Sequence, residues 1–448
     1  MALLDSFSCE CLKSELDIFS VPPTQTSIEQ TAYKKYHPVS TLTGHAPIEF
    51  HIPPTDEDYL DLQQTFLYLK LRIQTGVGAN LAAPAGQNAA ADNTFVLPIN
   101  YFVNTQFKSV DVYLSGTQVS ANDNLYPYRA YLEALMTYGS DAKKGPLQAG
   151  FFYPDTNDPN LHGQTMADAD CANQGAHQRF LKTRYSRSVE MVGKVHTPLF
   201  NQPKLLFSKL DLRLKFNRHD PRFSLMAFGL NTTYSISIDE AVLYVCHKTV
   251  SPSVREAHEL GLLKSNAKYP VRASEMKFFT KSQGHADLSE PNLYTGILPR
   301  RIVVGLVRSD GFNGSNHFNP LDFSGHGLRT IQLRRNGVPL PFDEIEVDYE
   351  TPNVVLGYLT LFQGSNRLFR DHGIGMNIED YIASGTSLYV FDLSQDGHDG
   401  NLSLLQEGTV SLQIKLTQAL PYSVTIVVYL EKDGLIEIDK DRNITYEA

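Results

Sequence analysis

Residues 107–119 read FKSVDVYLSGTQV, and residues 328–340 read LRTIQLRRNGVPL. At an offset of 221 both run apolar, basic, Ser/Thr, β-branched, any, apolar, two free, Ser/Asn, Gly, two free, apolar. Alternation of this kind marks a half-buried strand, and Ser115-Gly116 suits the hairpin turn that would close it. A second pair, LDLRLKF at 210–216 and VSLQIKL at 410–416, matches at an offset of 200 and in the same order. Chance likeness between alternating strands competes as the reading of either pair alone. Both pairs in order point to a duplicated unit, its first copy carrying the longer loops.

The 448 residues suffice for two or three domains with sizeable cores. A 42% hydrophobic and 20% charged composition belongs to a folded chain, and 24 Phe and 23 Tyr favour strands. The net charge of -10 argues against a surface whose main task is gripping nucleic acid. Four scattered cysteines (Cys9, Cys11, Cys171, Cys246) are too few for a disulfide framework and fit thiols in a reducing compartment. Neither a membrane span nor a secretory signal is expected from the apolar runs or from MALLDSFSCECLKSELDIF.

Along the chain, residues 1–20 place Leu3, Leu4, Phe7, Leu12, Leu16 and Phe19 at roughly helical spacing, an amphipathic arm, and 21–46 read as an extended tether. Strands are expected at 47–52, 65–73, 107–114, 188–196, 210–216 and 234–246. A second set is expected at 275–280, 301–308, 330–334, 387–392, 409–416 and 423–430. The tract 76–94 reads as a surface loop, and 145–178 as a long exposed one. The best helix is Tyr126–Tyr138, with Pro127 in its first turn and Tyr128, Tyr131, Leu132, Leu135 and Tyr138 on one face. A helix over 251–266 would join the copies, and short helices are expected near 356–363 and 376–383. Many short strands and few helices make the chain all-β, a sandwich or barrel.

The segment Asn100–Leu147, with its Val110-Asp111-Val112-Tyr113-Leu114-Ser115-Gly116 core and Tyr126–Tyr131 helix, resembles the first jelly roll of double jelly-roll major capsid proteins. The likeness is to the hexons of Polinton/Maverick elements and adintoviruses. Tyr269-Pro270-Val271-Arg272 resembles the start of their second jelly roll. The resemblance implies two tandem eight-stranded jelly rolls with short helices and an N-terminal arm. Residues 1–45 would be the arm, 46–250 the first roll, 251–268 the connecting helix, 269–435 the second roll and 436–448 a tail. Three chains would form a pseudo-hexagonal capsomer, and capsomers would tile an icosahedral shell around double-stranded DNA. The implied partners are sister chains and minor or penton capsid proteins, with nucleic-acid contact weak or indirect. The implied place is the virion, after synthesis in the host cytoplasm and with assembly in the nucleus as one route. Loops shorter than the family's suggest a small tower.

Chemistry finds little support. Cys9-Glu-Cys11 lacks the four-ligand set of a closed zinc site. Asp392, Asp396, Asp399 and Asn401 space oxygen ligands closely but lack the bidentate Glu of a calcium loop. No HExxH, G-x-S-x-G or phosphate-loop motif occurs. Asp56-Glu57-Asp58 reads as a solvated turn, and the helix tyrosines as packing rather than a stacking platform. Basic residues cluster at 179–187, at Arg300-Arg301 and at Arg334-Arg335; they would meet nucleic acid or acidic neighbours. No catalytic, cofactor or metal residue is assigned, and the expectation is a structural protein, not an enzyme. The rival expectation is a soluble double β-sandwich recognising carbohydrate or a receptor, against which the missing Trp and missing signal count.

Overall fold

The computed structural model describes residues 7, 11, 13–81, 95–120, 123–160, 171–227, 233–371, 373–395, 397 and 401–447. Its first half contains β1 (Ile28–Tyr36), β2 (Ile48–Ile52), β3 (Asp58–Thr75), β4 (Val96–Pro98), β5 (Phe107–Leu114), β6 (Thr117–Gln118), β7 (Val189–Lys194), β8 (Leu212–Arg218), β9 (Leu225–Ala227) and β10 (Tyr234–Val250). The second half contains β11 (Ala267–Lys281), β12 (Glu290–Ile297), β13 (Arg301–Arg308), β14 (Leu328–Arg335), β15 (Val338–Glu346), β16 (Tyr389–Asp392), β17 (Glu407–Leu416), β18 (Val424–Ile438) and β19 (Ile444–Glu447).

The halves share one topology. Sheets ordered β1-β10-β3-β7 and β2-β8-β5-β6 face each other in the first; β11-β18-β13-β16 and β12-β17-β14-β15 repeat that order in the second. Numbered within each half, and leaving out the β4-β9 ribbon and β19, both are 1-8-3-6 over 2-7-4-5, the jelly roll. Every pairing within these sheets is antiparallel. Burial follows the expected alternation over Val110, Val112 and Leu114 of β5, whereas on β14 Ile331 and Leu333 are buried together with the adjoining Thr330 and Gln332.

The repeated segments are equivalent strands in equivalent pairs. β5 and β8 pair with Val112 opposite Leu214, and β14 and β17 pair with Leu333 opposite Leu412. The two offsets place Ile414 opposite Leu333, so the second register has slipped by two residues, which leaves every side chain on its original face. Both strands end in the same turn. Ser115 and Gly116 have φ of 46° and 88°, and Asn336 and Gly337 have φ of 50° and 83°, the double left-handed pair of a two-residue hairpin.

Several readings of the sequence need correction, four of them in the chain's organisation. The tether at 21–46 contains β1, which pairs along β10 from Ile28 to Tyr36. This edge strand is half solvent-facing, so its sequence shows no apolar alternation. The tail after 435 contains the end of β18 and β19, which pairs with it. The exposed loop at 145–178 ends in a helix, Gln174–Thr183, capped by the Asn173 side chain accepting from the Ala176 amide. Nor are the loops short: 119–188 separate β6 from β7, and 347–388 separate β15 from β16.

Among the described residues five helices have six residues or more: α1 (Tyr126–Thr137), α2 (Gln174–Thr183), α3 (Pro252–Leu262), α4 (Val355–Gly364) and α5 (Ile378–Ala383). None among the described residues is long and apolar enough to cross a membrane. α1 was expected to show one apolar face, yet Tyr126 through Leu132, Ala134 and Leu135 are all buried. It lies inside the molecule because it packs against both rolls, with Tyr128 against Phe223 of the first and Phe312 and Phe323 of the second.

Candidate assembly surface

The seam between the rolls is built around α1. Tyr128 stacks on Phe312 of the second roll at 5.6 Å and meets Phe223 and Phe323 edge-on. Tyr131 stacks on Phe152 from one side and Phe323 from the other. Aromatic pairs of this kind add about 0.5–1.5 kcal/mol each beyond burial. The tyrosines are therefore packing, as their spacing suggested.

Polar groups cross the same seam. Glu133 Oε2 is 2.9 Å from His196 Nδ1 and accepts from Asn201, while the Tyr429 hydroxyl of β18 donates to its other oxygen at 3.4 Å. His196 Nε2 in turn meets the Tyr101 hydroxyl at 2.8 Å. Burial raises the Glu133 pKa, but the His196 bond, the charges of His196 and Arg129, and Asn201 outweigh it, so its carboxyl sits below the usual range. Lys143 Nζ donates to Leu135 O at 2.8 Å and to Ile374 O at 2.7 Å across the seam, and burial pushes its pKa down to about 7. Asn160 bridges to Asp322 Oδ2 and the Asn319 amide; burial raises Asp322 to about 6. The Arg367 guanidinium donates to Thr137 O at 2.7 Å. The closest approach is at Gly375, where a Cβ would stand 2.2 Å from the Ser140 nitrogen. The two rolls thus form one body with one continuous hydrophobic core.

Strand direction sorts the connections to two ends. β2 and β5 run parallel within their sheet, and β8 opposes them, so the β2–β3, β5–β6 and β7–β8 connections emerge together. β1 and β11 start at that end, β10 and β18 finish there, and α3 lies between the rolls there. Glu259 of α3 holds Lys209 at 3.1 Å and Arg442 at 2.8 Å, tying that end of both rolls together. The opposite end carries the long loops. At the shared end the arm leaves Leu16, Ile18, Phe19 and Val21 exposed. Only one short turn, Ser14–Leu16, is helical among its described residues.

The residues singled out in the sequence fall as follows. Arg179 is fully buried, bonded to Pro98 O, Tyr153 O and Asp155, and Arg300 is buried beneath Asn401 and Ser403. Neither faces a nucleic acid, since each neutralises internal oxygens. Arg301 holds Glu431 at 3.1 Å, Arg334 holds Gln332, and Arg335 reaches Leu393 O; only Arg184 and Arg187 of the first cluster are exposed. Asp58 belongs to no free acidic turn, since it binds Lys34, Thr249 and His247. Cys9, Asp396, Asp399 and most of 76–94 lie outside the described residues, and among the described ones no His/Cys/Asp/Glu group is placed to hold a metal. The seam groups Glu133, His196, Lys143 and Gly375 were not anticipated. The one acid of the helix YPYRAYLEALMT, set beside Arg129 among buried tyrosines and leucines, was the signal for the first.

Two rolls of one strand order, fused through a shared core, make this chain a double jelly-roll protein. Solved structures that it resembles include viral ones. A chain of the Sputnik virophage, solved by cryo-EM, superposes with a TM-score of 0.66 at 12% identity, covering 100% of this chain and 94% of its own. The mavirus major capsid protein gives 0.53 at 12%, with 100% and 95% covered, and the Faustovirus major capsid protein gives 0.53 at 8%, with 93% and 92%. At these identities the likeness is one of fold. A curated relative, an uncharacterized protein of Caenorhabditis elegans, is 23% identical over 432 residues, covering 94% of this chain and 98% of its own. No family model matches.

Proposed function

We propose that this chain is a major capsid protein, the subunit of an icosahedral shell of the Polinton or adintovirus type. The observation that carries this reading is the fusion of two rolls of equal topology side by side. Three such chains place six similar rolls around one axis, so a trimer presents a pseudo-hexagonal outline that can tile a shell. The likeness in fold to the mavirus and Faustovirus major capsid proteins supports the same reading. The domain division is 28–250 for the first roll, α3 as connector, and 267–447 for the second with β19, while residues 1–27 form the arm. This moves the arm boundary to exclude β1 and gives the tail to the second roll.

The role is structural rather than enzymatic. Homotrimer interfaces of an obligate kind bury about 2,000 Å² or more. Minor or penton proteins close the shell, and the double-stranded DNA genome is condensed by other, basic proteins, in keeping with the net charge of -10. Assembly follows synthesis in the host cytoplasm and proceeds there or in the nucleus. Light scattering on the purified full chain with negative-stain microscopy tests the reading: a trimer and hexagonal capsomers or shells support it, and a monomer at all concentrations overturns it.

A further inference from the structure

Each roll carries two helices of six residues or more in the connection from its fifth strand to its sixth. α1 begins eight residues after the end of β6 and α4 nine after the end of β15, while α2 and α5 each end six residues before β7 and β16 begin. α1 and α4 therefore occupy the same place in the repeat. Their surroundings differ. The second roll covers α1: Asp123, just ahead of it, accepts from the Met276 amide of β11 at 3.3 Å, Tyr128 stacks on Phe312, and Glu133 takes the Tyr429 hydroxyl of β18. α4 reads VLGYLTLFQG, with no charged residue, the composition of a helix covered on every side. One side of it does pack on β16, where a Cβ at Gly357 or Gly364 would stand 3.0 Å from Tyr389 and 2.5 Å from Val390. The start of the helix is open, with Val355 and Leu356 exposed by 60% and 47% beside a hollow lined by Glu346, Asp348, Glu350 and Arg329.

The seam joins the rolls head to tail. In the sheets β1-β10-β3-β7 and β11-β18-β13-β16, the β7 side of the first roll, through His196 and Glu133, meets the β11 side of the second, through Met276 and Tyr429. The β16 side with α4 is left free at one end of the chain and the β1 side at the other. We propose that α4 of one copy docks on the β1 side of a second copy's first roll, so that the contact α1 makes within a chain is repeated by α4 between chains. The proposal deepens the assembly reading above and rests on it. A head-to-tail contact of this kind builds a ring when its rotation closes, as a trimer requires. The β1 side has the matching chemistry. Tyr33 is 47% exposed and Val39, just past the end of β1, is 71% exposed, which offers apolar surface to Val355 and Leu356. Lys35 between them contacts the Tyr244 ring and no acid among the described residues, and it complements Glu346, Asp348 and Glu350.

The test places p-benzoylphenylalanine at position 356 of the full chain and irradiates a mixture of nitrogen-15-labelled and unlabelled copies. Mass spectrometry is expected to find residue 356 of one copy joined to residues 33–39 of another. Val39→Glu, on an exposed side chain, sets an acid against the acids beside α4 and should reduce that product about tenfold or more. Circular dichroism of the Val39→Glu chain should match wild type, so that the loss reports docking and not folding. Products confined within one copy, products elsewhere on a second copy, or a yield that ignores Val39→Glu overturn the proposal while leaving the trimer standing. A chain that light scattering finds monomeric overturns both.

Discussion

Glu133 Oε2 stands 2.9 Å from His196 Nδ1 while its other oxygen holds the Tyr429 hydroxyl at 3.4 Å, so a carboxylate on a helix of the first roll grips a strand of the second. The seam that makes two rolls one rigid unit therefore depends on charge as well as packing.

That dependence has a pH signature. The Glu133 carboxyl is held below its ordinary value of 4.5, so the unfolded chain binds the proton more readily than the folded one. Its stabilisation is present above that ordinary value and is lost as pH falls through the lower folded one. Glu133→Gln should cost about 2–4 kcal/mol near neutral pH by leaving His196 and Tyr429 without their charged partner. In denaturant titrations the gap between wild type and Glu133→Gln should narrow below the ordinary carboxylate pKa; a gap constant with pH would contradict the role.

Lys143 acts in the opposite sense. Burial lowers its pKa from 10.5 to about 7, so between those values the unfolded state binds more protons and this residue's contribution to stability rises with pH. Lys143→Met removes the slope along with the bonds to Leu135 O and Ile374 O. The difference in melting temperature, wild type minus variant, should therefore grow between pH 7 and 9.5, as differential scanning calorimetry would record.

Gly375 tests the closeness of the seam. Gly375 and Gly44 both have φ of +66°, but a Cβ at Gly44 meets nothing within 4 Å, whereas at Gly375 it would meet the Ser140 backbone. Gly44→Ala should cost only the left-handed strain of about 1 kcal/mol, and Gly375→Ala about 2–3 kcal/mol or more, since the rolls must part. Equal losses by chemical denaturation would mean the seam yields freely.

The two hairpin turns offer a test of duplication itself. A Cβ at either Gly116 or Gly337 meets nothing within 4 Å, so only backbone strain distinguishes a side chain there. Gly116→Val and Gly337→Val should each cost about 1–3 kcal/mol and by similar amounts. Ser115→Asn, which installs the residue the second turn already has, should stabilise by a few tenths of a kcal/mol or more, because Asn tolerates φ above zero better than Ser. A destabilised Ser115→Asn variant would show that the turns differ.

The repeat was legible because β5, β8 and β17 are half-buried strands, where alternation is enforced by the core. β1 (IEQTAYKKY), β12 (EPNLYTGI) and β15 (VPLPFDEIE) were not legible, because edge and solvent-facing strands need little apolar alternation and Pro339 and Pro341 interrupt the last. α2 hid in a polar stretch whose Arg179 looks like a surface cation but is bonded inside. The seam escaped altogether, since Glu133 with Tyr429, and Ser140 with Gly375, are brought together only by the fold.

The most direct measurement is the mass of the purified full chain by light scattering, followed by microscopy of the same fractions. Self-assembly through fused rolls predicts a particle of three times 50.1 kDa with a hexagonal outline. A 50.1 kDa species that persists at every concentration, with no capsomer in the micrographs, would contradict it.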